Sequence, residues 1–151
     1  MSHDDQLPDP ARIVIRRRIE WMDTDAAGIY HWTTVFRLAE AAEAELHTAL
    51  GIVDLTFGAT PRVAVQATFA RPLRFNDPVE VELAVRAVGR TSVEYALTIA
   101  AEDGVAAEGS VKSVLIDRTT RRAAPWPAHV RAQLAGAGLM RAVAESAGEA
   151  R

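Results

Sequence analysis

One stretch of this chain is predicted to be a long helix, and it restricts the possible folds more than any other feature. From about Trp32 to Leu50 the residues are mainly Ala, Leu and Glu, which favour helix. Apolar residues recur there at three- and four-residue steps, and Gly51 follows as a predicted stop. A helix of about five turns with many alanines predicts close approach to another surface, such as a sheet that wraps around it.

Strand patterns occupy most of the remaining chain. A strand is predicted from Arg12 to Trp21, before the helix, and the segment from Val53 to Pro61 after it is predicted to be a connecting loop. Four further strands are predicted, mostly from the alternation of apolar residues with others, over residues 63–69, 79–86, 93–99 and 106–117. Asp103-Gly104 is a strong hairpin signal before the last of them. A short helix is predicted from His129 to Leu134.

This order of elements predicts an α+β fold, with one long helix against one face of a meandering antiparallel sheet. The predicted division is a flexible N-terminal tail over residues 1–10, a single domain over 11–137, and a C-terminal tail or short helix over 138–151. A sheet of this kind has edges that need protection, so we expect dimerisation through a sheet edge.

Composition restricts the class of protein. With 151 residues the chain fits one domain, and its net charge of -3 argues against nucleic acid as a partner. It has no cysteine, which excludes disulfides, thiolate metal sites and a cysteine nucleophile. We predict a cytoplasmic protein, since the sequence shows neither a signal peptide nor a run of about 20 apolar residues that could cross a membrane.

An acidic loop lies between the first predicted strand and the long helix. Asp23 and Asp25 precede Gly28 by five and three residues, and the helix follows. A carboxylate close to the free amides of a helix start has chemical uses. Asp23 is predicted to be structural and to bond loop amides, whereas Gly28 is predicted to have a backbone role.

The string Asp-Thr-Asp-Ala-Ala-Gly-Ile-Tyr-His from Asp23 to His31 resembles the signature loop of the 4-hydroxybenzoyl-CoA thioesterase family. These are hot-dog proteins, in which a curved antiparallel sheet wraps a long central helix. The resemblance covers roughly residues 12–134 and includes the stretch from Arg71 to Val79. It implies hydrolysis of an acyl-CoA thioester, with Asp25 as either nucleophile or general base.

The resemblance also implies roles for residues around this acid. The backbone amide of Trp32 is expected to bind the developing oxyanion, and amides near His31 and Thr33 could assist. His31 is expected to orient the thioester or to line the pocket. Thr34-Val35 replaces the Asn-Tyr of many family members, so Thr34 or another group must hold the loop.

Coenzyme A carries phosphates, so arginines are expected at the rim of the pocket. The turn Gly89-Arg90-Thr91-Ser92 matches a basic turn that contacts the nucleotide in the family, which implies CoA binding by Arg90, Thr91 and Ser92. Arg118, Arg121 and Arg122 form a second basic cluster. No metal and no cofactor other than the substrate's CoA are predicted, because the four histidines lack ligand spacing.

Several alternatives stay open at this level. Glu40 or Glu43 on the helix could be an active-site acid, as in a related branch of hot-dog thioesterases, or could belong to a solvated or salt-bridged face. A hydroxyacyl-thioester dehydratase and a non-catalytic acyl-CoA-binding protein are the competing functions. The acyl group is predicted to be aromatic or of medium length, its carrier to be CoA or a carrier protein, and the enzyme to be a homodimer or homotetramer.

Overall fold

A computed structural model describes residues 6–143. Apolar alternation and turn residues generate a six-stranded sheet, and the helix predicted from the alanine-rich stretch packs on it. The elements are β1 Arg12–Arg18, a 3-10 turn Trp21–Asp23, α1 Thr34–Leu50, α2 Val53–Thr56, β2 Arg62–Phe69, β3 Pro78–Val88, β4 Ser92–Ala101, β5 Gly104–Val114, α3 Ala128–Gly136 and β6 Leu139–Met140.

The strands lie in the order β2-β5-β4-β3-β1-β6. All neighbours are antiparallel except β1 and β6, which are parallel. The apolar stripe of α1 packs against β1 and β3, and its side chains are buried at Val35, Leu38, Ala42 and Leu46. The predicted α+β architecture, an antiparallel sheet packed on one long helix, is therefore confirmed.

The register gives the sheet two ends that carry different loops. We call one the acid-loop end, because it holds the segment between β1 and α1; Arg18, Phe69, Pro78, Ala101 and Gly104 lie there. We call the other the turn end, because it holds the β3–β4 turn; Arg12, Arg62, Val88, Ser92 and Val114 lie there. At about 3.3 Å per residue, the eight residues of β2 separate the two ends by roughly 25 Å.

Some predicted boundaries are wrong. The first strand ends at Arg18 rather than Trp21, because residues 21–23 close a 3-10 turn with Thr24 N–H donating to the Trp21 carbonyl. The predicted loop from Val53 to Pro61 contains α2, and α1 begins at Thr34, two residues after Trp32. The last long strand, β5, ends at Val114 rather than residue 117. Short helical turns and strand ends depend on contacts that periodicity does not encode.

Residues near the two ends of the described part of the chain are hydrogen-bonded to each other. Asp9 N–H donates to the carbonyl of Ala135 at 3.2 Å, and its own carbonyl accepts from Gly138 N–H at 2.9 Å. β6 was not predicted, and it falls in the segment expected to be a C-terminal tail or short helix. Residues 1–5 and 144–151, which complete the two predicted tails, lie outside the described residues.

Strand β2 differs most from its prediction. Its alternating pattern predicts one buried face, yet almost the whole strand is exposed, with Val63 and Val65 at 55% and 49%. The strand forms the edge of the sheet beside β5, and its other side has no neighbour within residues 6–143. An apolar edge strand of this kind is available for pairing with another chain.

No helix within residues 6–143 combines the length and apolar character needed to cross a bilayer. The cytoplasmic location stays a prediction.

Candidate active site

The acidic loop is a tight reversal of the chain. Asp25 N–H donates to the Ile29 carbonyl at 3.0 Å, and the Asp25 carbonyl accepts from Gly28 N–H at 3.0 Å. Gly28 has φ +77°, a left-handed conformation that favours glycine. Thr24 and Tyr30 form a β-bridge beneath the reversal. The loop therefore presents Asp25 at its tip from a short hydrogen-bonded base.

Asp23 anchors this loop from below. Its side chain is buried, and Arg37 on α1 donates to both carboxylate oxygens, from Nε at 2.7 Å and from Nη2 at 2.6 Å. The backbone of Glu20 donates to the same carboxylate at 2.8 Å. The carbonyl of Asp23 accepts from Thr34 Oγ1 at 3.0 Å and from His31 N–H at 2.6 Å. Thr34 therefore holds the loop by its bond to the Asp23 carbonyl, and Arg37 holds it by its bonds to the Asp23 carboxylate. The role of Arg37 was not predicted from the sequence.

Asp25 has a different environment from Asp23. Its side chain is exposed, and Oδ1 accepts one hydrogen bond, from Ala27 N–H at 2.8 Å. Within residues 6–143 no group donates to its Oδ2. The buried acid is therefore structural, whereas the exposed acid keeps an oxygen available for chemistry.

The amides before α1 are almost all used internally. His31 N–H bonds to the Asp23 carbonyl, Thr33 N–H bonds to His31 Nδ1 at 3.2 Å, and Thr34 N–H bonds to the His31 carbonyl at 2.9 Å. Trp32 N–H has no acceptor in the described part of the chain. It lies two residues before α1, at the positive end of the helix dipole. Of the amides from His31 to Thr34, Trp32 N–H is the one available to a ligand, while Thr33 N–H is occupied.

His31 is held by its neighbour. Its Nδ1 lies 2.7 Å from Thr33 Oγ1 and accepts from Thr33 N–H, so the ring caps the start of the helix. The ring also packs 5.4 Å from that of Trp32, centroid to centroid. His31 therefore supports the segment that carries the free amide.

A cleft of about 440 Å³ opens beside this segment at the acid-loop end of the sheet. Its lining residues come from the acidic loop and from the segment that leaves β2: Asp25, Ile29, Tyr30, Trp32, Phe69, Ala70, Arg71 and Pro72. Asp25 and Trp32 are predicted site residues, whereas Tyr30, Phe69 and Arg71 were not predicted. The stretch from Arg71 to Val79, which carries part of the family resemblance, is the sequence signal that could have indicated Arg71. Tyr30 and Phe69 join the site only through the tertiary structure.

The residues predicted to bind CoA lie elsewhere in the chain. Arg90 and Thr91 lie in the β3–β4 turn and Ser92 begins β4, all at the turn end of the sheet. The carbonyl of Thr91 accepts from Leu115 N–H at 2.7 Å, and Ile116 bridges to Ala123 around the turn that holds Arg121 and Arg122. The structure therefore brings the two predicted basic groups together, but at the opposite end of the sheet from Asp25 in the same chain.

A second cavity, of about 350 Å³, lies between α1, α2 and the start of β2. Glu43 lines this cavity, is buried and accepts from Arg62 Nη2 at 2.6 Å. Burial raises the pKa of Glu43, and Arg62 opposes that rise. Of the two helix glutamates, Glu43 is thus part of a salt-bridged cluster, and Glu40 is exposed at the rim of the same cavity.

His47 lies behind this ion pair. Its Nδ1 is 2.9 Å from Thr56 Oγ1, and its Nε2 is 2.8 Å from the hydroxyl of Tyr95. Burial, followed by the charge of Arg62, lowers the pKa of His47 to about 4, so the ring is neutral at pH 7. A neutral ring with hydrogen on Nδ1 satisfies both neighbours, because Tyr95 then donates to Nε2.

Within residues 6–143 no three carboxylate or histidine side chains cluster in a way that could hold a metal ion. The predicted absence of a metal and of a resident cofactor stays a prediction.

The fold and the acidic loop place the chain in a class of proteins with known members. A profile of the thioesterase-like superfamily matches residues 19–134, which include the acidic loop, α1, strands β2 to β5 and most of α3. The chain belongs to this superfamily. The predicted hot-dog fold and a thioester-hydrolase enzyme are therefore confirmed, whereas membership of the 4-hydroxybenzoyl-CoA branch stays a prediction.

Individual relatives agree with this class. The chain is 27% identical over 139 residues to a 1,4-dihydroxy-2-naphthoyl-CoA hydrolase of Prochlorococcus marinus, covering 84% of this chain and 92% of the relative. A solved gentisyl-coenzyme A thioesterase is 27% identical, with a TM-score of 0.70 over 78% of this chain and 98% of that one. A predicted thioesterase from Bacillus stearothermophilus, 23% identical with a TM-score of 0.75 over 82% and 93%, shares the fold.

Proposed function

We propose that this protein hydrolyses an acyl-CoA thioester at the cleft beside the acidic loop. One observation carries the proposal: the exposed carboxylate of Asp25 and the free amide of Trp32 line the same cleft. A thioesterase needs both groups, one to attack the carbonyl carbon or activate water, and one to stabilise the oxyanion. The names of the relatives support the same reaction.

Two routes are consistent with an exposed carboxylate. As nucleophile, an Asp25 oxygen bonds to the thioester carbon, the C–S bond breaks, and CoA leaves as a thiolate that takes up a proton; water then hydrolyses the resulting anhydride. As general base, Asp25 accepts a proton from water, which attacks the same carbon while the thiolate leaves. In both routes Trp32 N–H faces the oxygen that gains negative charge.

The proposed substrate is an aromatic acyl group. Half of the residues that line the cleft are large apolar or aromatic ones: Ile29, Tyr30, Trp32 and Phe69. Rings bind well to such a surface, because they bury a large area with a defined geometry. The named substrates of two relatives, 1,4-dihydroxy-2-naphthoyl-CoA and gentisyl-coenzyme A, are also aromatic acyl thioesters.

Asp25→Asn tests the catalytic assignment. We expect kcat to fall by about 10²- to 10⁴-fold against aromatic acyl-CoAs, measured by thiol release, because the amide neither attacks nor accepts a proton at neutral pH. Asp54→Asn, at another exposed aspartate, is the matched control and should keep wild-type rates. A folded Asp25→Asn enzyme with near-normal activity would refute the assignment. Wild-type protein that binds acyl-CoA without releasing thiol would instead be a binding protein.

We also propose a homodimer in which the β2 strands of two copies pair in antiparallel fashion. This dimer is either the whole assembly or one half of a tetramer. The exposed apolar edge of β2 supports it. Antiparallel pairing would place the turn end of one copy, with Arg90 and Arg122, beside the acid-loop end of the other. In this arrangement the predicted phosphate-binding arginines of one copy would lie near the cleft of the other copy, although they lie far from the cleft of their own chain.

Val65→Lys tests this edge, because Val65 is half exposed at the middle of β2. We expect a folded monomer by sedimentation, with strongly reduced thioesterase activity. Leu139→Lys, at an exposed apolar position on the opposite edge strand, should leave the assembly unchanged. A wild-type monomer, or a Val65→Lys dimer, would contradict the proposal.

A further inference from the structure

The buried hydroxyl of Tyr30 forms no hydrogen bond with the described residues, so the fold alone does not explain it. The residue is 6% exposed, and its hydroxyl is the one buried side-chain polar atom without a hydrogen-bond partner among the described residues. Buried polar groups are almost always satisfied, and each exception calls for an explanation. A phenylalanine would fill the same volume without an unpaired hydroxyl.

The position of Tyr30 connects it with the proposed chemistry. It lies two residues before Trp32, in the β-bridge with Thr24 that closes the acidic loop, and its backbone N–H donates to the Leu73 carbonyl at 2.8 Å. Tyr30 lines the same cleft as Asp25 and Trp32. The bridge to Thr24 and the bond to Leu73 fix its backbone, so its ring has a defined place beside the cleft.

One neighbouring side chain, Phe69, packs against Tyr30 where both line the cleft. The ring of Phe69 lies 6.1 Å from the ring of Tyr30, centroid to centroid, and Phe69 is half exposed at the end of the edge strand. Exposed side chains change rotamer quickly. A ligand that enters the cleft therefore meets a mobile side chain, Phe69, beside the Tyr30 ring.

We propose that the Tyr30 hydroxyl donates a hydrogen bond to an oxygen atom of the acyl thioester bound in the cleft. The inference rests on the proposed function and adds a substrate-contacting residue to it. The acceptor is either the thioester carbonyl or a hydroxyl substituent on the acyl group, since both are oxygen acceptors. Burial raises the pKa of Tyr30, so the phenol keeps its proton and acts as a donor at neutral pH.

The chain offers a matched control in its only other tyrosine, Tyr95. That residue is also buried, but its hydroxyl bonds to His47 Nε2 at 2.8 Å. Thermal denaturation of Tyr30→Phe and Tyr95→Phe therefore compares an unpaired with a paired hydroxyl. We expect Tyr30→Phe to melt at or above the wild-type temperature and Tyr95→Phe to melt below it. A Tyr30→Phe protein that is destabilised as much as Tyr95→Phe would show an internal partner and overturn the proposal.

Kinetics supply the second measurement, with benzoyl-CoA and 4-hydroxybenzoyl-CoA as probes. We expect Tyr30→Phe to lower kcat/KM by roughly 3- to 10-fold, the value of one neutral hydrogen bond. A loss with both thioesters identifies the carbonyl as acceptor, and a loss with the hydroxylated one alone identifies the substituent. Unchanged kcat/KM with both overturns the inference while the proposed function stands. If wild-type protein cleaves neither these nor other acyl-CoAs, the proposed function fails, and this inference fails with it.

Discussion

Replacing Arg37 by methionine tests whether the buried ion pair holds the catalytic loop. Arg37→Met keeps most of the side-chain length but removes the two donors, at 2.7 Å and 2.6 Å, from the carboxylate of Asp23. The acid is 3% exposed and then keeps one donor, the backbone of Glu20 at 2.8 Å. A buried charge therefore loses its partner.

The expected loss of stability follows from that geometry. Removing one partner of a fully buried pair costs about 3–5 kcal/mol. The side chain of Arg37 is 39% exposed, so water screens part of the interaction, and we expect a loss of about 2 kcal/mol. Asp23 also positions His31 and Thr34 through its carbonyl, so a displaced Asp23 should move the loop that carries Asp25. We expect kcat to fall by roughly 10-fold, because small displacements of catalytic groups reduce rates strongly.

Urea denaturation and thiol-release kinetics measure the two effects. The double variant Asp23→Asn/Arg37→Met removes the buried charge together with its partner, so it should be more stable than Arg37→Met alone. Arg37→Lys keeps the charge but not the two-pronged geometry and should lie between Arg37→Met and the wild type. If Arg37→Met unfolds at the wild-type urea concentration with normal kcat, the ion pair does not hold the loop.

Two further predictions concern His47 and Gly28. The pKa of His47 is lowered from 6.5 to about 4 by burial, so the unfolded chain binds the proton first as pH falls. The contribution of neutral His47 to the free energy of unfolding should therefore be complete above pH 6.5. It should be lost as the pH falls toward 4, by up to ~3 kcal/mol. Glu43, whose pKa is raised, opposes part of this loss, so denaturation should be compared between wild type and His47→Gln; identical pH profiles would contradict the reasoning. Gly28→Ala should lower the free energy of unfolding by about 1 kcal/mol, because its φ of +77° is unfavourable for alanine. A clash is not the cause, since no atom lies within 4 Å of the added Cβ. A free energy of unfolding equal to that of the wild type would argue against strain at this position.

Local patterns in the sequence determined the long helix, the succession of strands and the acidic loop between them. Three- and four-residue apolar steps, two-residue alternation and the hairpin signal Asp103-Gly104 act over a few residues, and each is found in the structure. The different roles expected for Asp23 and Asp25 agree with one buried and one exposed carboxylate. Short-range chemistry therefore indicated where the site lies in the chain.

Only the tertiary structure decided what surrounds that site. The partner of Asp23 is Arg37, which lies one turn into α1 and has no sequence feature that distinguishes it from other arginines. The unpaired state of the Tyr30 hydroxyl likewise depends on neighbours that are distant in sequence. The separation of Arg90 from Asp25 follows from strand register, and the exposure of Val65 follows from the place of β2 at the sheet edge. Register and strand order arise from contacts between distant segments, which no local periodicity specifies.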